Sequence, residues 1–399
     1  MTGLAATAPR PQALQTDSVS STYTALTPAD TLASVNMATD TVSELPFYRK
    51  GLIGKVYSYF QNSNVDKPTK KFDISFIGGP HYSSEEGFGI GIAGSGRYRA
   101  GNRENTETPL SNITLKLDVT TGQLYKIGAE GYHIFEGDRM RINYDVYFYS
   151  FKDKWWGIGY QRNRNDANEC TYKRLLGEAI ANFVFKLAHQ VFLGPAVRFS
   201  YVKAHDMERP ELLDGQREQM TNLGLGLTFL IDTRDIPTAA TKGIHVRADV
   251  LAHPRKMANK NAFTSLEALV SKYWTAWKGG VIAGNIHSRL TWGNTPWYLL
   301  STFGGSEYMR GYWEGRYRDK MEADVTLELR QHVWRRSGIA VWAGAGTVFP
   351  KFSAMRSKDI LPCFGIGYRW QFKKGVNVRL DLGFGRREHG INFSLNEAF

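Results

Sequence analysis

The stretch FGGSEYMRGYWEGRYRDKMEADVTLE, residues 303–328, is Gly-rich, aromatic and basic in its first half and becomes strictly alternating at Glu322. From there Ala323, Val325, Leu327 and Leu329 fall on one side while Asp324, Thr326, Glu328 and Arg330 fall on the other. A two-residue period is that of a strand with unlike faces, so a long polar loop feeds a strand here. Arg310 lies in that loop between Met309 and Gly311-Tyr312. Its guanidinium is either solvated on a mobile surface loop or reaches an acidic partner with a planar, two-pronged contact, and Gly311 allows a tight backbone turn beside it.

Outward from this stretch the same alternation repeats. Leu223/Leu225/Leu227/Phe229, Ile244/Val246/Ala248/Val250, Ile282/Gly284/Ile286 and Val376/Val378/Leu380/Leu382 each alternate with polar residues or glycine. Sixteen such segments begin near Phe72, Phe88, Asn112, Gln123, Arg141, Cys170, Val191, Glu218, Gly243, Phe263, Gly280, Met321, Gly338, Asp359, Val376 and Gly390. Alternation alone fits a soluble sandwich as well as a barrel. The length of the segments, the lack of any helical interlude and aromatics gathered at segment ends (Tyr147-Phe148-Tyr149, Trp155-Trp156, Tyr273-Trp274, Trp370) point to a membrane barrel with an interfacial girdle. The expected fold is all-β: a 16-stranded antiparallel transmembrane barrel over 71–399. Its final strand carries Phe393 and Leu395 on one face and closes with Phe399. With both ends of the barrel chain on the periplasmic side, residues 303–320 fall in the sixth outward loop.

Composition agrees. No apolar run approaches the length of a membrane-spanning helix, while 13% aromatic residues and 40 glycines suit a barrel. The net charge of +12 is spread along the chain without a basic block, which argues against nucleic acid and suits a polar lumen or anionic lipid headgroups. Two cysteines, Cys170 and Cys363, supply neither a disulfide framework nor metal-ligand spacing, and their strands are expected far apart on the barrel.

Residues 1–46 are rich in Ala, Thr, Ser and Pro and are expected to be disordered. They do not read as a signal peptide; an export signal is expected to have been removed or to lie upstream. Within 47–70 an amphipathic helix over 47–60 presents Leu52, Ile53, Val56, Tyr59 and Phe60 on one side. It suits the membrane interface, the barrel interior or a cap on a soluble domain.

MRGY at 309–312, Gly304-Gly305 before it, Glu328-Leu329-Arg330 after it, Gly365-x-Gly367-x-Arg369, the Asp232-Thr-Arg-Asp235…Pro237…Gly243 turn and the terminal SLNEAF carry a family resemblance. The chain resembles the BamA/TamA superfamily of bacterial surface-antigen barrels over roughly 72–399. The resemblance implies an integral protein of the bacterial outer membrane whose sixth loop folds into the barrel, with its arginine, here Arg310, on acidic groups of the inner wall. The family's wall motif has Asp followed two residues later by Gly, but this chain reads Trp342-Ala-Gly344-Ala-Gly346, with Gly344 in the Asp position. A buried guanidinium without an anion is costly, so Asp381, Glu328 and Asp324 are the expected partners. The family's polypeptide-transport-associated (POTRA) domains have no counterpart in 1–70, so the resemblance is to a short member with a helix in their place.

No enzyme pattern stands out: the histidines are scattered, no Ser sits in a G-x-S-x-G turn, and a lumen carboxylate such as Asp249 is no catalytic constellation by itself. No cofactor is expected. The expected role is assembly, insertion or translocation of outer-membrane proteins, helped by a weak seam between the first and last strands. The expected partners are outer-membrane lipid, unfolded outer-membrane proteins and periplasmic or lipoprotein subunits. A passive pore plugged by loop six, or a structural docking barrel, is the alternative.

Overall fold

The computed structural model describes residues 73–101, 108–373 and 375–399. The disordered segment expected over 1–46 and the helix and linker expected over 47–70 lie outside the described residues.

The strands run in chain order as β1 (Asp73–Ser83), β2 (Gly87–Tyr98), β3 (Ser111–Thr120), β4 (Tyr125–Ile134), β5 (Met140–Trp155), β6 (Cys170–Ala188), β7 (Val191–His205), β8 (Gln219–Asp232) and β9 (Gly243–His253). They continue as β10 (Phe263–Trp277), β11 (Gly280–Gly293), β12 (Ser301–Thr302), β13 (Arg318–Asp319), β14 (Met321–Trp334), β15 (Ser337–Phe349), β16 (Leu361–Lys373), β17 (Val376–Gly385) and β18 (Glu388–Leu395). The short pair β12–β13 stands apart, and the other strands close one antiparallel barrel in which β11 pairs with β14 and β18 with β1. Each barrel strand begins within two residues of the position the alternation predicts.

The alternation becomes the two faces of the wall. On β14, Val325 and Leu327 are 48% and 55% exposed, whereas Asp324 and Glu328 are 5% and 0% exposed. The apolar side chains face outward, where a bilayer replaces water, and the polar ones face inward, the arrangement of a membrane barrel. Trp277, Trp334 and Trp370 are exposed near the C-terminal ends of β10, β14 and β16, all on one rim. Trp155 and Trp156 depart from the girdle expected of them. They are buried, with Trp155 edge-on to Trp297 at 5.2 Å and its Nε1–H donating to the Leu212 carbonyl at 3.2 Å. The outer loops fold over the mouth, so these indoles seal it instead of facing lipid. Cys170 and Cys363 are buried free thiols.

A second departure lies at the C-terminus. Strand pairing ends at Leu395, short of Phe399, because Asn396 takes a left-handed conformation (φ 66°) that turns the chain inward. There Glu397 accepts from Arg369 Nε and Asn377 Nδ2, both at 2.7 Å, and Phe399 packs near Tyr273 inside the barrel. Two guanidiniums in the lumen attract Glu397 more strongly than an outer face attracts the last apolar side chain.

Candidate site: the loop-six clasp

Loop six spans 294–320 between β11 and β14, with β12–β13 drawing its two arms together. Its turn folds against the lumen wall made by β14 to β18, and the four MRGY residues each do a separate job. Met309 is buried, its sulfur 3.8 Å from Cys363 Sγ. Arg310, 3% exposed, donates from Nη1 to Asp381 Oδ2 at 2.7 Å and from Nη2 to Glu328 Oε2. Its guanidinium also lies 3.6 Å from the centre of the Trp342 ring. Gly311 holds φ 112°, and a Cβ there would stand 2.7 Å from the backbone of Gly383; only glycine meets both demands. Tyr312 donates its hydroxyl to the Pro362 carbonyl at 2.7 Å and accepts from the Arg386 amide at 2.6 Å.

Of the three acids expected opposite Arg310, Asp381 and Glu328 meet the guanidinium. Asp324 is paired across the β11–β14 register with His287, whose Nδ1 is 3.0 Å from Asp324 Oδ2. Asp324 stands four residues along β14 from Glu328, about 13 Å away at strand rise, so the two carboxylates serve different neighbours. With Gly344 carrying no acid, the place beside Arg310 on β15 is filled by the face of Trp342, a cation–π contact that sequence reasoning missed.

Gly365, Gly367 and Arg369 lie on β16 behind the clasp. The indole of Trp342 lies against Gly365, and the Asp381–Arg369 pair lies over Gly367, places where any side chain would collide with them. Arg369 Nη1 donates to Asp381 Oδ1 at 2.5 Å, and Arg330 Nε to Glu328 Oε1 at 2.5 Å. Arg379 adds a contact to Asp381 at 3.4 Å. Glu328, Asp381 and Glu397 are thus interleaved with Arg310, Arg330, Arg369 and Arg379, and each carboxylate meets at least two guanidiniums. Such mutual pairing is what lets charges remain in a buried place, and breaking one link strands the others. Glu397 was not anticipated, since its inward turn depends on Asn396 rather than on strand alternation. Phe393 and Leu395 lie on β18, whereas Phe399 lies beyond it.

Loop six also reaches the closure of the barrel. The Trp313 amide donates to Glu388 Oε2 at 2.9 Å on β18, and the Glu314 amide donates to Glu85 Oε1 at 2.7 Å in the β1–β2 turn. Burial raises the carboxyls of both Glu85 and Glu86 in that turn; nearby Glu314 adds to the shift of Glu85, and Asp118 then Glu314 to that of Glu86, which is pushed up to about 7. A cleft between loop six and this closure is lined by Ser83, Glu85, Trp313, Glu388 and Ile391.

A family model described as the Omp85 superfamily domain matches residues 115–398. Among solved structures the chain is similar to BamA from Haemophilus ducreyi lacking POTRA domains 1-3, at 13% identity and a TM-score of 0.57, over 82% of this chain and 70% of that one. It is also similar to CdiB from Acinetobacter baumannii (10% identity, TM-score 0.53, 82% of this chain and 60% of that one). CdiB from Escherichia coli is similar too (8% identity, TM-score 0.54, 83% and 64%). The chain therefore spans less than two thirds of the length of either CdiB, and at these identities the likeness speaks to fold alone. No curated protein matches by sequence.

Proposed function

The chain belongs to the Omp85 superfamily and is an integral barrel of the bacterial outer membrane, and from that premise we propose that it moves other polypeptides into or across that membrane. The observation that carries this reading is the seam. Among the described residues the register between β1 and β18 holds Tyr82–Phe393 and Ser83–Asn392, with the Ser84 amide donating to the Ile391 carbonyl just beyond them, whereas the other edge of β1 is paired with β2 along its whole length, from Asp73 to Ser83. The ladder to β18 stops at Tyr82, and below it β18 turns away into the lumen at Asn396. An incompletely paired strand edge is a template for another strand, so the lower part of β1 suits the addition of an incoming β-segment. The MRGY turn of loop six is fastened to β14–β18, on one side of the seam, and the Glu314–Glu85 bond ties loop six to the β1–β2 turn, so parting the seam has to break that bond but not the Arg310 pairs. Unfolded outer-membrane proteins are the proposed substrates, with separate periplasmic or lipoprotein subunits as proposed helpers.

The test is a cysteine pair at Ser83→Cys and Asn392→Cys, which face one another across the seam. Purified protein in liposomes is expected to speed insertion of an unfolded barrel substrate over a porin control, to lose that gain when the pair is oxidised and to regain it on reduction. Steady dye leakage with no gain in insertion would instead favour a passive pore, and a stable surface partner with neither activity a docking barrel.

A further inference from the structure

A second group of ionisable side chains sits in the lumen apart from the Arg310 network. His287 on β11 faces Glu322 and Asp324 on β14, with Nδ1 3.3 Å from Glu322 Oε2 and 3.0 Å from Asp324 Oδ2. All three are deeply buried, at 5%, 1% and 5% exposure. One potential ligand atom from each lies within 4.8 Å of the others. Among the described residues neither carboxylate oxygen of Glu322 has a hydrogen-bond partner, nor has Asp324 Oδ1. Three of the four carboxyl oxygens packed against this single imidazole are thus left without a partner, and buried polar atoms left unsatisfied are expensive. Arginines satisfy the same need in the clasp. Among the described residues, Glu322 and Asp324 pair with His287 and not with an arginine.

We propose that His287, Glu322 and Asp324 bind one divalent first-row transition-metal ion inside the barrel, beneath loop six. The spacing fits: atoms bound at about 2.1 Å to a common ion stand roughly 3.0–3.4 Å apart, and the two nitrogen–oxygen separations fall in that range. One imidazole with two carboxylates is a mixed donor set suited to zinc or manganese, and the imidazole disfavours calcium and magnesium. The surroundings fit as well. His287 Nε2 lies 4.0 Å from Glu267 Oε1, longer than a hydrogen bond, so a carboxylate stands near the place an outer acid takes behind a ligating histidine without yet bonding the ring. Arg198 and Arg289, each 3.7 Å from Glu267, hold that outer acid in place. The Tyr308 ring stacks on His287 with centroids 4.3 Å apart and planes 3° from parallel. Tyr308 stands two residues before Arg310, so an ion that fixes the His287 ring also fixes the approach to the clasp.

The test uses the full chain in detergent, stripped with a chelator and titrated with Zn²⁺ and then Mn²⁺. One equivalent is expected to bind and to raise the unfolding temperature, with X-ray absorption at the zinc edge showing one imidazole nitrogen and carboxylate oxygens. Glu322→Gln and Asp324→Asn are each expected to weaken binding by about 100-fold or more, a loss at least as large as that seen for outer-shell changes. Both substitutions relieve like-charge repulsion, so the metal-free variants are expected to be no less stable than the metal-free wild type. No binding at tenth-millimolar metal, or binding that survives both substitutions, would overturn the proposal. The absorption spectrum needs no variant, so a zinc ion without imidazole would overturn it as well.

Discussion

The wall from β14 to β18 and the seam where β18 meets β1 adjoin, yet they are held by different means. The β14–β15 ladder pairs thirteen positions on each strand and is backed by buried ion pairs and the loop-six clasp. The seam has two register pairs, with the Ser84 hydroxyl accepting from the Ile391 amide beside them. One closed sheet thus holds a locked arc of five strands beside a lightly fastened join. A barrel need not be uniformly stable, and side chains crossing the lumen decide where it is firm.

The firm side breaks most readily at Arg310. Replacing it by Ala leaves Glu328 and Asp381 each short of a countercharge in a buried place, and a loss of about 3–5 kcal/mol is expected in urea unfolding of the detergent-solubilised barrel. Arg310→Lys is expected to recover only part, since a single ammonium does not span two carboxylates as a guanidinium fork does. Equal stability of Ala and wild type would show that loop six contributes nothing to the wall. Gly311→Ala comes next: a side chain at φ 112° is strained by about 1–3 kcal/mol and also meets Gly383, so limited proteolysis is expected to cut loop six sooner. Glu397→Gln keeps the shape but removes the charge between Arg369 and Arg330, with an expected loss of about 1 kcal/mol and faster cleavage after Leu395.

The smallest expected effect lies at the seam. Glu86, pushed up to about 7 from an ordinary 4.5, binds more protons in the folded turn than in the unfolded chain between those values. Its contribution is therefore fully present below about pH 4.5 and is lost as pH rises through about 7. Amide exchange in the β1–β2 turn is expected to be more protected at pH 6 than at pH 8 after correction for intrinsic rates, and Glu86→Gln is expected to flatten the difference. An unchanged profile in Glu86→Gln would assign the pH effect to another group.

Strand positions were legible because alternation fixes which side chains face inward, and Asp381, Glu328 and Asp324 all follow from it. Alternation gives the face but not the height across the lumen. Which acid met Arg310 and which met His287 depended on the β11–β14 register and on the path of a 27-residue loop, neither of which is local. Trp342 was visible in the run around Gly344, but its pairing with Arg310 required knowing that Gly365 opposite it leaves room for an indole. Phe399 misled for a similar reason: an alternating end resembles a strand until Asn396 turns left-handed and Glu397 finds two arginines.

The inequality between wall and seam also bears on the order of assembly. The Ile391–Ser84 bond joins positions 307 apart in the chain, whereas β14 and β15 are joined through a two-residue turn. Bringing such distant segments together costs about 5 kcal/mol of loop entropy, and here that is returned by very few bonds. Distant pairing with little reward forms late. The C-terminal hairpins, with loop six seated against them, are thus expected to form before the rest of the sheet, and the join at β1 is expected to close last and open first.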